Sequence, residues 1–278
     1  MEKRLVLAIA LSLLVLLSWS ALAPKPQILE KKEVTTINSK LQTLSPTGIP
    51  PSQPLVTTQS FVEDLKETFQ FTQEKRAIIF NPARAAVVEA IFKNNIEHHM
   101  PLKIGFLSDE GLVFKQQSLT KDTITFVHEG QDKRIVKKFT IPNNSNIIYL
   151  EIQVQNLSSS PLLYKPQLVL GRLDISAKNI QARYQDVLLG GKEKTLHLAA
   201  GKDFTIQDVK FIGLRDQYFC AILEPVDSIV NAYVKKINAQ ESEVAVWTNE
   251  VNLKPGVQIG HSYRIFLGPQ DLKTLNSI

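Results

Sequence analysis

Alternation with period two dominates the chain beyond residue 68, and it constrains the fold more than any other feature. The stretch "IIYLEIQVQN", Ile147 to Asn156, puts Ile148, Leu150, Ile152 and Val154 on one side and Tyr149, Glu151, Gln153 and Gln155 on the other. That is the pattern of a β-strand with one dry and one wet face. Similar runs predict strands at Arg76 to Phe80, Lys103 to Leu107, Thr123 to His128, Arg134 to Ile141, Pro161 to Gly171, Asp208 to Ile212, Gln217 to Leu223, Ile229 to Asn238, Glu243 to Asn249 and His261 to Leu267. The connecting segments "HEGQD", "PNNSN", "NLSSSP", "LGGK", "AAGKD" and "LKPG" are rich in turn formers. Many short strands with regular turns predict an all-β fold, a large antiparallel β-sandwich. With 278 residues, 44% of them hydrophobic, the chain is long enough for one large core or two smaller ones.

Two segments are less direct. "PARAAVVEAIFKNN", Pro82 to Asn95, reads equally as an alanine-rich helix started by proline and as a strand from Ala86 to Lys93. "FIGLRDQYFCAILEP", Phe211 to Pro225, holds a charged turn and then a run, Tyr218 to Leu223, that is apolar on both faces and so needs cover on both sides. The terminal "GPQDLKTLNSI" predicts a short helix whose Leu272, Leu275 and Ile278 share a face, and its abrupt end suggests a chain that continues.

The N-terminus speaks to location. Leu5 to Ala23 is uncharged over 19 residues, about 28 Å as a helix, close to the thickness of a bilayer core. A cleaved signal peptide and a retained anchor both fit; the length and Pro24 directly after the Ala-x-Ala site favour the anchor. Residues 24–60 carry six of the chain's fourteen prolines before Thr58, with many Thr and Ser, and read as a flexible tether. "SFVE", Ser60 to Glu63, has capping-box spacing for a short helix through Lys66. The expected organisation is therefore an anchor over 1–23, a tether over 24–60 and a β domain over 61–278.

Residues with chemistry are sparse. The formal charge of +5 is spread along the chain without a long basic run, which argues against nucleic acid. Cys220, the single cysteine, excludes an internal disulfide and lies in the apolar run, where a buried thiol is expected. His98, His99, His128, His197 and His261 show no metal-binding spacing, and the one cluster, "EHHMP", reads as a loop. "LGGKEKT" lacks phosphate-loop spacing and reads as a hairpin turn. A sugar-converting sandwich would need an acid/base pair such as Glu151 or Glu224 with His128 or His197. Against that, Glu151 belongs to a wet strand face, and Glu224 ends a strand at Pro225. Arg215 and Asp216 read as a turn pair, and Tyr218 and Phe219 as packing residues. No catalytic, cofactor or metal residue emerges.

The order and spacing of "MEKRLVLAIALSLLVLLSW", the proline-rich tether, "VKKFTIP", "FIGLRDQYFCAILEP" and "YRIFLGPQDLKTL" resemble the first membrane helix and periplasmic domain of the YidC membrane protein insertases. The resemblance implies a twisted, galactose-mutarotase-like β-sandwich with a C-terminal helix leading towards the membrane. It also favours a strand at Ala86 to Lys93, although relatives usually have a glycine pair in the turn before it. The implied function is an interaction module that assists insertion and folding of inner-membrane proteins, not an enzyme, with the main domain in the periplasm. The implied partners are the membrane, Sec translocase subunits and nascent inner-membrane proteins. Insertion in this family is attributed to five further membrane helices, and this sequence has a single apolar run long enough to span. The alternative is an anchored or secreted carbohydrate-binding or sugar-converting sandwich.

Overall fold

The computed structural model describes residues 67–93, 97–175, 184–190, 195–199, 201–226 and 230–270. All belong to the second of the two units into which the chain divides, Thr58–Ile278. The expected membrane anchor, the tether, the Ser60 to Lys66 helix and the C-terminal helix lie outside the described residues. Among the described residues no helix is long and apolar enough to cross a membrane.

Nineteen strands, all paired antiparallel, make up the described fold. The largest sheet has nine, in the order β12 (Thr195–Ala199), β11 (Asp186–Gly190), β14 (Phe211–Arg215), β15 (Phe219–Pro225), β19 (Gln258–Pro269), β8 (Ile147–Asn156), β7 (Lys133–Thr140), β6 (Thr123–Glu129), β5 (Lys115–Leu119). A second sheet runs β1 (Phe69–Thr72), β2 (Arg76–Asn81), β3 (Ala86–Lys93), β4 (Glu97–Gly105). A third runs β10 (Gln167–Asp174), β17 (Glu241–Trp247), β16 (Val230–Lys236), β13 (Phe204–Val209). The pair β18 (Val251–Leu253) and β9 (Leu162–Tyr164) completes the set. The two four-stranded sheets meet where Phe106 N donates to Val169 O at 2.6 Å and Val169 N to Leu107 O at 2.8 Å.

The core follows the alternation. Ile148, Leu150, Ile152 and Val154 of β8 are all buried, whereas Tyr149 and Gln153 are exposed. Beside them in the same sheet lie the rings of Phe126 and Phe139, which meet Phe80 of β2, with centroids 5.2 to 6.1 Å apart. These tilted and edge-on contacts suit aromatic quadrupoles.

Several sequence expectations are corrected. The predicted strand Pro161 to Gly171 is two strands in different sheets, parted at Lys165 and Pro166, because Pro166 has no N–H to continue a ladder. Asp208 to Ile212 straddles the end of β13 and the start of β14, again in different sheets, and Asp208 turns the chain with φ 55°. "EHHMP" is not a loop: Glu97 to Pro101 pairs with β3 in β4. Strand β15 starts at Phe219, so Tyr218 is a turn residue, 56% exposed, and not a packing residue; Phe219 is buried as expected.

The ambiguous Pro82 segment is both things in succession. Pro82–Arg84 forms one 3-10 turn, capped by Asn81 Oδ1, which accepts from Arg84 N at 3.0 Å, and Ala86–Lys93 is a strand. Ala85 between them takes the left-handed conformation, φ 46°, ψ 46°, that glycine adopts without penalty. Its carbonyl is held by Lys137, a lysine on the core side of β7 between Ile135 and Phe139. Lys137 is fully buried and its Nζ donates to Ala85 O at 2.6 Å and to Phe106 O at 2.5 Å. Phe106 too has a positive φ, 63°. A single buried ammonium thus fastens the two strained corners by which β3 and β4 are attached.

Candidate functional site

The outer face of the β10-β17-β16-β13 sheet carries an open groove of about 1010 Å³. Register builds its floor. Arg172 of β10 lies directly opposite Glu243 of β17, and Tyr233 of β16 opposite Ala245, one step along the same face. Arg172 donates through Nε and Nη2 to Glu243 Oε2 at 3.1 and 2.9 Å. Tyr233 donates its hydroxyl to Glu243 Oε1 at 2.8 Å and accepts from Gln167 Nε2 at 2.8 Å. Glu243 is buried, yet three donors satisfy it, as a buried carboxylate requires. Burial, then the Glu243 charge, raises the Tyr233 phenol above its ordinary range, so it remains a proton donor. At the rim the Lys165 ammonium stands 4.4 Å from the centre of the Trp247 ring, a cation–π contact.

Each polar group of this floor is already occupied by a neighbour. Such a network suits a rigid recognition surface more than catalysis, which needs a nucleophile or base free to react. One wall is the sheet edge β13, which pairs with β16 on one side, and Phe204 and Thr205 line the groove. A register shift between Ile206 and Val209 ends the regular edge there, so the extended part is Phe204 to Ile206.

The residues singled out in the sequence lie elsewhere and apart. His98 Nε2 is 3.1 Å from Asp216 Oδ2, and its ring stacks on Phe219 with centroids 4.4 Å apart. His99 pairs with Glu89, His128 Nδ1 with Val113 O, and His197 with Asp186. His261 lies on β19 opposite Ile152. Glu151 pairs with Lys138 across β8 and β7 at 3.7 Å, and Glu224 with Arg264 at 2.7 Å. Neither carboxylate meets His128 or His197, so the acid/base pair of a sugar-converting site is not assembled from them. Arg215 and Asp216 do not pair with each other. Arg215 pairs with Asp186, while Asp216 Oδ1 accepts from the N–H groups of Tyr218 and Phe219, both at 2.7 Å. Among the described residues no group of three or more His, Cys, Asp or Glu could hold a metal ion. Cys220 is buried, and burial first, then Asp216, pushes its thiol up to about 12 against a smaller opposing pull from Arg215.

The groove residues Arg172, Glu243 and Tyr233 escaped the sequence reading. Each occupies an ordinary polar position of an alternating strand, and Arg172 and Glu243 are 71 residues apart in the chain.

The family model described as the YidC periplasmic domain matches residues 84–278. The chain belongs to this family. The YidC membrane protein insertase of Geotalea daltonii is 26% identical over an alignment that covers 100% of this chain and 59% of that protein. The YidC insertase of Pelobacter propionicus is 26% identical over 56% of this chain and 30% of its own length. The chain therefore spans less than two thirds of the curated YidC proteins it matches. Solved structures share the fold, among them two sugar-related proteins. A galactose mutarotase-like protein from Lactobacillus casei superposes with TM-score 0.55 at 9% identity, covering 72% of this chain and all of that one. An α-galactosidase from Geobacillus stearothermophilus superposes with TM-score 0.50 at 10% identity, covering 75% and 41%. At such identities the likeness concerns the sandwich alone and carries no sugar chemistry over to this YidC domain.

Proposed function

We propose that this chain is the N-terminal and periplasmic part of a YidC-type membrane protein insertase, and that it assists insertion and folding of inner-membrane proteins as a non-catalytic interaction module. The observation that carries the reading is the family match over residues 84–278, joined by a relative named as an insertase that aligns with the whole chain. In this reading Leu5 to Ala23 anchors the chain in the inner membrane, residues 24–60 tether it, and residues 61–278 stand in the periplasm. The partners are nascent inner-membrane proteins and subunits of the Sec translocase.

The groove and its β13 edge are the proposed docking place. An extended segment entering from the periplasmic side can add to Phe204 to Ile206 by main-chain hydrogen bonds, its side chains standing beside Phe204 and Thr205 at the rim of the groove. A photo-crosslinking residue at Thr205 tests this, with a stalled nascent chain of a single inner-membrane protein as the probe. The same crosslinker at Ser118, on the far edge strand β5, is the control. Preferential capture from Thr205 is expected, and equal or greater capture from Ser118 would overturn the assignment of the groove.

A further inference from the structure

Where β19 ends at Pro269, a second cavity, of about 220 Å³, opens between the β1–β2 turn and the 143–146 turn. Its wall includes Lys75, Arg76, Asn143, Ser145 and Asn146, with Phe219 on the apolar side. Arg76 is the unusual member. It is 4% exposed, its Nε donates to Gln73 Oε1 at 2.9 Å, and its Nη2 reaches Pro142 O at 3.4 Å. Its Nη1 is enclosed and has no hydrogen-bond partner. Among the described residues no carboxylate pairs with it. Burial lowers the guanidinium to about 10, which still leaves it charged at neutral pH.

A buried cation without a counter-charge is costly, and the cost falls when an anion enters beside it. The surroundings favour that anion. Lys75 adds a second positive charge, while Asn143, Asn146 and Ser145 can donate from amide and hydroxyl groups, and no acidic side chain is in the wall. The volume is several times the roughly 30 Å³ that a water takes in the liquid. We propose that this cavity binds a phosphate group, with Arg76 supplying uncompensated positive charge in its wall and Lys75 and the 143–146 turn completing the cradle. Two cations, Lys75 and Arg76, suit an oxyanion of up to two charges. The neighbouring rings of Phe92 and Phe219, stacked at 4.1 Å, leave an apolar wall compatible with a phosphate carried on a lipid as well as with the free ion.

The test uses the full chain in uncharged detergent and follows its thermal unfolding midpoint. One arm adds inorganic phosphate against chloride at equal ionic strength. The other adds phosphatidylglycerol against diacylglycerol of the same acyl chains, which lacks the phosphate. A midpoint raised by inorganic phosphate identifies the free ion as a sufficient ligand; one raised by phosphatidylglycerol alone identifies a lipid headgroup. In either case Lys75→Ala, at an exposed position, is expected to raise the half-saturating concentration about tenfold, and Arg76→Gln to abolish the shift. Should Arg76→Gln fail to fold, Lys75→Ala combined with Asn143→Ala serves in its place. No shift in either arm, or a shift of unchanged size and midpoint concentration in the variants, would overturn the proposal.

Discussion

Lys137 concentrates much of the fold's polar risk in one atom. Its ammonium sits at a core position of β7, bonded to Ala85 O and Phe106 O and within 5.7 Å of the centroids of the Phe114 and Phe139 rings. The carbonyls and ring faces favour the cation, while burial disfavours it. Burial wins in part and lowers the group from 10.5 to about 7, with Asp109 pulling it back upward. Below about pH 7 the side chain is charged in both folded and unfolded chains. Between there and its ordinary range the unfolded chain holds a proton that the folded one has released, so stability rises with pH across that window. Urea unfolding at pH 7 and pH 9 should show a gain for the natural protein that Lys137→Met lacks; parallel behaviour would mean the buried ammonium keeps its proton. Lys137→Ala is expected to cost about 3 kcal/mol, since it opens a cavity and leaves two carbonyls without donors. Neighbouring aromatics separate in the same way. Phe219→Ala, which empties a buried site stacked on Phe92 and His98, should cost about 3 to 5 kcal/mol. Tyr218→Ala, at an exposed ring, should stay within about 0.5 kcal/mol.

Elements are joined by turns whose side chains replace missing ladder bonds. Asp216 closes the β14–β15 connection by accepting from Tyr218 N and Phe219 N, and it takes a further bond from His98 on β4, in another sheet. Gln270 fastens the exit of β19 to the same turn through Asp216 O and Gln217 O at 2.9 and 2.7 Å. Asp216→Ala should therefore cost about 2 kcal/mol in a urea titration, because an ionised acceptor is lost from two backbone donors. Asp216→Asn should cost less, since its amide oxygen still accepts. Cys220, the first residue of β15 after Phe219, tests the burial of that strand independently. With its thiol raised to about 12 and enclosed, thiol labelling should be slow in the native protein and fast in denaturant. Equal rates would place β15 at the surface.

At the scale of the whole molecule, a strand-dominated fold with long-range pairing predicts a circular dichroism spectrum of β type for the described unit, without strong helical bands. Residues 1–278 expressed alone in cells depleted of the host insertase should leave insertion of a dependent substrate unrescued. A polar membrane-embedded path is what lowers the cost of carrying unsatisfied backbone through hydrocarbon, and one apolar run offers none. Rescue by this chain alone would show that the sandwich and its anchor suffice.

What the sequence determined by itself is local. Alternation at Ile147 to Asn156 decided which side chains face the core, because successive residues of a strand point to opposite faces whatever it pairs with. Turn formers marked most connections, and the quoted motifs gave the family and with it the sandwich. What depended on tertiary structure is every choice of neighbour. Whether Pro161 to Gly171 serves one sheet or two, whether Ala85 can hold a left-handed turn, and whether "EHHMP" pairs with β3 depend on contacts from distant segments. Alternation puts Lys137 on the core face with Ile135 and Phe139, but its amine is satisfied there only because two carbonyls, 52 and 31 residues away in the chain, arrive beside it. Arg172, Glu243 and Tyr233 form a groove floor, and Arg76 lines a donor-rich cavity, for the same reason. A strand's period fixes the face a residue occupies, but its chemistry is set by what the opposing chain brings within about 3 Å, the range of a hydrogen bond.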